Sequence, residues 1–228
     1  WSPDKFSYSE TRGGPVMINP GSFGGSFEVS TDRRKALSFQ PTIRYYDLHR
    51  YPGSWLSTQL GVTFRPSSRA ELQLTPEYSH RQTMAQYVTT TNAVKYEPTY
   101  GSRYIFSELD RKEFTLNTRL NLAFSPTLTF EVFAQALVSA GDFQSYGQLS
   151  RPRTYEIDVY QPGTYEESGD DVVCSGGQIC LGPDGRQYVD FTGDGRADYD
   201  FRDRDFNFRS LRGNMVLRWE YRPGSMLF

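Results

Sequence analysis

The side chains best suited to chemistry stand close together in one acidic segment, Asp190–Asp198 (DFTGDGRAD). Oxygen donors at its first, third, fifth and ninth positions and a glycine at the sixth match the first part of a calcium-binding loop. The twelfth position is Phe201 rather than a glutamate, so the match is incomplete. We expect either a structural calcium ion or a turn rich in Asp and Gly that needs no metal. The predicted metal residues are Asp190, Thr192, Asp194, Arg196 and Asp198.

The only cysteines, Cys174 and Cys180, lie in a glycine-rich segment shortly before the acidic segment. A close pair in such a segment can close a small ring, which suits an oxidising, surface-exposed compartment. Zinc is poorly supported, because neither His49 nor His80 is near these thiols in sequence. We therefore predict a Cys174–Cys180 disulfide, with free thiols as the alternative.

The two histidines, His49 and His80, belong to no catalytic motif. A hydrolase would need a nucleophile beside a base, commonly serine or aspartate with histidine. We predict no catalytic residue and no enzyme. The net charge of −2, without a basic cluster, gives no reason to expect nucleic-acid binding.

The elements that must position these residues are segments in which apolar and polar residues alternate, as in Leu116–Phe124 (LNTRLNLAF). A period of two is typical of β-strands. Some connections are short and contain a proline (Pro66, Pro126 or Pro223), whereas the longest runs from about residue 141 to residue 205. Short turns at one end and long loops at the other are typical of a barrel in an outer membrane.

The predicted fold is therefore all-β, an antiparallel transmembrane β-barrel of about ten or more strands with short periplasmic turns and one long extracellular loop. We expect the barrel domain to span residues 1–228, as a fragment of a longer chain, with the loop at 141–205. An even number of strands must separate two short turns at the same end. Between Pro66 and Pro126 we draw strands at Arg69–Ser79, Met84–Thr91, Ser102–Leu109 and Glu113–Phe124.

In such a barrel, aromatic strand residues would contact the membrane interface and polar strand residues would face the lumen. Aromatic residues beside the short turns would form a girdle at the membrane interface, and these are Phe124, Trp219 and Tyr221. Polar strand residues would form a charged ladder that pairs across the lumen, and these are Arg44, Arg119, Glu131, Arg218 and Glu220. A soluble β-sandwich would show the same alternation, with its apolar face in a core.

Several stretches resemble a family of bacterial outer-membrane proteins that has no assigned activity. They are Thr11–Pro15, Gly101–Leu109, Phe124–Thr129, Ser139–Phe143 and, most specifically, Asp205–Ser225. In that family an N-terminal domain similar to carbohydrate-binding modules precedes a C-terminal β-barrel. The resemblance implies that the N-terminal domain is missing from this sequence, and it transfers no catalytic residue.

Together these features favour a Gram-negative outer-membrane protein that serves as an anchor, scaffold or narrow channel for a larger cell-surface protein. Its expected partners are the lipid bilayer and other cell-surface or periplasmic proteins. This location would require an export signal upstream of Trp1. Two alternatives remain open: a soluble calcium-dependent β-sandwich that binds glycans or protein, and an outer-membrane hydrolase.

Overall fold

The computed structural model describes residues 1–169 and 171–228. Most of these residues lie in β-strands, in keeping with the many aromatic and β-branched residues at alternating positions. In chain order the strands are β1 (Lys5–Ser7), β2 (Met17–Asn19), β3 (Ser22–Glu28), β4 (Leu37–Leu48), β5 (Gly53–Ser67), β6 (Ala70–Thr91), β7 (Arg103–Ser125), β8 (Leu128–Leu149), β9 (Ile157–Val159), β10 (Thr164–Ser168), β11 (Asp171–Ser175), β12 (Ile179–Leu181), β13 (Arg186–Val189), β14 (Tyr199–Arg202), β15 (Phe206–Arg222) and β16 (Ser225–Leu227).

One large sheet organises the molecule, with the strand order β16-β15-β8-β7-β6-β5-β4-β3 and with β9 added beside β8. Neighbouring strands in it are antiparallel. Tight turns join β5 to β6, β7 to β8 and β15 to β16, all at one end of the sheet. The long connection between β8 and β15 leaves from the other end.

The predicted closed transmembrane β-barrel is wrong. Among the residues that the structure describes, β3 pairs with no strand but β4, apart from an isolated bridge between Ser22 and Ser2, and β16 pairs only with β15, so the large sheet is open. Alternation and turn length specify which neighbours form hairpins, because both are local properties. They contain no information about pairing between the first and last strands of a sheet, and this explains the error.

The strands at the centre of the sheet are longer than predicted. The strands drawn at Arg69–Ser79 and Met84–Thr91 form one strand, β6, and those at Ser102–Leu109 and Glu113–Phe124 form one strand, β7. Irregular pairing near Thr83 and Gln86 lets β6 continue past a point where its alternation breaks. An even number of strands still separates the two tight turns.

The ends of β6, β7 and β8 away from the tight turns are accompanied by the short strands β1, β2 and β9–β14. We call these strand ends and short strands together the cap. Residues of β12, β13 and β14 pack on the large sheet in a sandwich-like arrangement, around a core that includes Ile105, Tyr146, Val189 and Phe201. A second core surrounds Phe106. We call the remainder of the large sheet, toward the tight turns, the wall.

The segment predicted as one long loop, 141–205, is thus largely folded. β8 continues through it as far as Leu149, and β9–β14 lie in the rest. Helical structure in the described part of the chain is limited to a 3-10 turn at Glu97–Thr99. Nowhere in residues 1–169 and 171–228 is there a helix long and apolar enough to cross a membrane.

Candidate functional site

One face of the wall is apolar and exposed. Leu37, Ile43 and Leu211 expose 45%, 49% and 79% of their surface. The pairing register places such residues side by side across six strands, and none of them is charged. We call this surface the apolar band. It consists of every second residue of Leu37–Tyr45, Leu56–Phe64, Leu72–Tyr78, Phe114–Leu122, Leu128–Val138 and Leu211–Trp219.

The opposite face of the wall buries polar side chains instead. Ser38, Thr42 and Ser57 are 6%, 4% and 0% exposed, although each is flanked in sequence by residues of the apolar band or its border. A water-soluble sheet normally buries its apolar face and exposes its polar face. On β4 and β5 the wall therefore has the inverse polarity of a soluble sheet, whereas both faces of β15 are exposed.

A polar row borders the apolar band on the side of the cap. Asp47, Gln82, Asp110 and Asp142 lie in this row on successive or near-successive strands. The Nε2 atom of His80 lies 2.8 Å from an oxygen of Asp110. Charge returns to this face over several rows, first at Arg209 opposite Val138, then at Lys112 and then at this polar row.

The predicted girdle residues border the band at the other end, beside the tight turns. Phe124, Trp219 and Tyr221 are 58%, 47% and 53% exposed. The rings of Trp219 and Tyr221 lie 5.9 Å apart, centroid to centroid. Trp219 pairs with Leu128 and Leu227 in the neighbouring strands.

The residues predicted to form a lumen ladder all lie on the polar face of the wall, and they are Arg44, Arg119, Glu131, Arg218 and Glu220. Because the sheet is open, they line a face rather than a lumen. The guanidinium of Arg119 lies 5.6 Å from the ring centroid of Phe133. The backbone N–H of Gly224 donates to Glu220 at 3.0 Å.

A cavity of about 510 Å³ opens on the polar face where the wall meets the cap. We call it the junction cavity. One row of paired residues crosses its floor in the order Tyr46, Trp55, Arg81 and Arg111. The rings of Tyr46 and Trp55 are stacked with centroids 5.5 Å apart. The cavity therefore presents an aromatic surface next to two guanidinium groups.

Carboxylates and a tyrosine complete the junction cavity. Glu113 and Glu77 lie one and two rows below the guanidinium groups, and Ser57 donates a hydrogen bond to Glu77 at 2.8 Å. Glu10 and Tyr155 line it from outside the large sheet. Burial raises the pKa of Tyr155 to about 12, so its hydroxyl stays protonated at neutral pH.

Sequence reasoning missed the junction cavity. Arg81 and Arg111 fall between the predicted strands, at the points where two strands were drawn instead of one. Only the continuity of β6 and β7 places these two residues directly opposite each other. The sequence contains one signal for this arrangement. The predicted segments on the two sides of Arg81 are about as long, in reverse order, as those on the two sides of Arg111, as two long antiparallel strands require.

Residues 2–170 match a family model described as a domain of unknown function, DUF5916. The chain belongs to this family. Every residue that lines the junction cavity lies within the matched residues. No curated protein and no solved structure matches the chain. The family description states no activity or location, so the resemblance to outer-membrane proteins stays a prediction.

The acidic segment Asp190–Asp198 follows the residues that match DUF5916, and it forms a closed turn. The buried carboxylate of Asp190 accepts hydrogen bonds from the N–H groups of Thr192, Gly193 and Gly195, at 3.0, 2.6 and 2.7 Å. Both glycines have positive φ angles, +77° and +90°. Asp198 accepts from the N–H groups of Phe191 and Thr192. Backbone donors therefore already occupy these carboxylates.

The other predicted metal residues, Thr192, Asp194 and Arg196, are exposed, and Asp194 accepts from the N–H of Arg196 at 2.9 Å. In the described part of the chain, no group of three or more His, Cys, Asp or Glu side chains is placed to hold a metal ion. Calcium stays a prediction. The Cys174–Cys180 disulfide is confirmed, and it ties β11 to β12 with a Cα–Cα distance of 5.3 Å.

Proposed function

We propose that this chain anchors a larger protein at the bacterial outer membrane, with the apolar band against lipid and the cap beyond the membrane surface. The inverse polarity of the wall is the observation that supports this most directly. A large uncharged apolar surface on a soluble protein marks a contact with another protein or with a membrane. On β4 and β5 the buried side chains of the opposite face are polar, so the apolar surface there packs against no core.

The dimensions of the band favour lipid as the partner. Leu128–Val138 spans about 34 Å at roughly 3.4 Å per residue. At a tilt of about 45°, its height is about 24 Å, close to the apolar height of outer-membrane proteins built from strands. Trp219 and Tyr221 at one border and the polar row at the other fit the two interfaces of a bilayer.

The three tryptophans of the chain provide a test with an internal control. Trp219 lies on the apolar band and Trp55 on the polar face. A variant with Trp1→Phe and Trp55→Phe keeps only Trp219, and a variant with Trp1→Phe and Trp219→Phe keeps only Trp55. In vesicles with brominated acyl chains, we expect strong fluorescence quenching of Trp219 and little of Trp55. Equal quenching of both, or no association with the vesicles, would overturn the proposal.

A second candidate function is supported by the sandwich-like packing of the cap and by its disulfide. A soluble β-sandwich that binds a glycan or another protein outside the cell would show both features. The two candidate functions predict different behaviour of the protein when the membrane fraction is extracted. A soluble binding module leaves the membrane fraction in buffer without detergent, whereas the proposed anchor requires detergent.

A further inference from the structure

The floor of the junction cavity contains an unusual pair of like charges. Arg81 and Arg111 are directly opposite each other on β6 and β7 and point to the same face. Side chains in such positions have Cβ atoms about 5 Å apart, and like charges there destabilise a sheet. Among the residues that the structure describes, no carboxylate forms an ion pair with either guanidinium, so the charge of the pair is uncompensated at close range.

The nearby carboxylates do not neutralise this pair. Glu77 accepts a hydrogen bond from the hydroxyl of Ser57, Glu10 accepts one from the amide of Asn19, and in the described part of the chain Glu113 forms no ion pair with either guanidinium. The cavity is thus divided into a cationic row beside Trp55 and an anionic region below it. A structural charge cluster would be expected to place opposite charges in contact. Among the described residues, Glu77 uses one oxygen for Ser57 and Glu113 none, so acceptors remain beside the two guanidinium groups.

We propose that the junction cavity binds a small organic anion that also carries hydroxyl groups. Its carboxylate or phosphate lies between the guanidinium groups of Arg81 and Arg111, which suit two-pronged bonds to either oxyanion. Its hydroxyl groups donate to Glu77 and Glu113, and its carbon skeleton packs on the ring of Trp55. The volume of about 510 Å³ is within the range of small-molecule sites.

The position of the cavity adds a second argument. Its lining includes Glu10 and Tyr155, which belong to segments outside the large sheet and partly cover its floor. Tyr155 is 7% exposed and packs against Tyr51, with ring centroids 4.7 Å apart. Arg81 stays exposed and Arg111 half-buried beside this partial cover, so an anion can reach the guanidinium row from solution.

The test is calorimetric titration of the purified full chain with inorganic phosphate, citrate and glucuronate, and with glucose as a neutral probe. We expect saturable binding of at least one anion and none of glucose. Arg81→Gln and Arg111→Gln should each weaken that binding by about tenfold or more, because each removes a charge-assisted hydrogen bond. The anion that binds most tightly identifies carboxylate or phosphate as the recognised group.

Arg119→Gln is the matched control, since Arg119 lies on the same strand and the same face as Arg111 but outside the junction cavity. We expect it to leave the affinity unchanged. Arg81→Lys keeps the charge, loses the two-pronged geometry and should give an intermediate loss even if a glutamine variant folds poorly. Absence of saturable binding for all three anions, or an equal loss in Arg119→Gln, overturns the proposal. Neither result depends on whether the chain associates with lipid.

Discussion

The wall and the cap share alternating strands, but the cap buries apolar side chains, whereas the wall buries polar side chains on β4 and β5. In the cap, Ile105 and Phe106 on β7 are fully buried, at 0% exposure. Farther along the same strand, Phe114 is 43% exposed. A single strand thus passes from conventional packing to inverse packing. The difference teaches that alternation identifies a strand, while the surroundings of each face must be established separately.

The largest effect is expected when a buried side chain of the cap and an exposed side chain of the apolar band are each replaced by alanine. Phe106→Ala removes a fully buried ring from the cap and should lower the free energy of unfolding by about 3–5 kcal/mol. Leu217→Ala in the apolar band, where the side chain is 51% exposed, should change it by less than about 0.5 kcal/mol in detergent. Urea unfolding of both variants measures this. Equal losses would show that the wall has an ordinary core and would break the comparison.

A second pair of variants tests the two faces of the wall at adjacent positions. Leu60 lies on the apolar band and Gln59 on the polar face. Leu60→Arg places a charge where we propose lipid, which costs about 2–4 kcal/mol near the middle of a bilayer. We expect Leu60→Arg to reduce the fraction of protein that floats with vesicles in a density gradient. Gln59→Arg introduces the same charge on the other face and should leave flotation unchanged; the reverse order would contradict the proposed orientation.

The elements of the wall were more predictable from the sequence than those of the cap. The tight turns near Pro66 and Pro126 and the facing of residues such as Arg119 follow from local alternation, which a strand imposes on its side chains. Closure of the sheet was predicted wrongly, because it depends on pairing between distant strands. The part of the cap within residues 141–205 is predicted as a loop, because β9–β14 are only three to five residues long.

The candidate sites also differ in how far they could be predicted from the sequence. The disulfide could be predicted because it rests on residue type and on a neighbouring cysteine. The girdle rests on aromatic residues beside tight turns, and its place at a membrane interface stays a prediction. The junction cavity could not, because it requires β6 and β7 to continue past irregular pairing near Thr83 and to remain in register at Arg81 and Arg111. Register across long strands is a tertiary property, and a polar residue at a break in alternation looks like a turn.

The smallest expected effect concerns the acidic turn of the cap and the predicted calcium ion. Asp190→Ala removes a buried carboxylate that accepts three backbone N–H groups, and we expect a loss of about 2–3 kcal/mol in the free energy of unfolding. Asp194→Ala is the control, because Asp194 is exposed and accepts a single backbone N–H, that of Arg196. Since the backbone bonds need no ion, the loss in Asp190→Ala should persist in a calcium chelator. A difference between the two variants that disappears in chelator would instead show that a bound cation, rather than the amide groups, holds the turn.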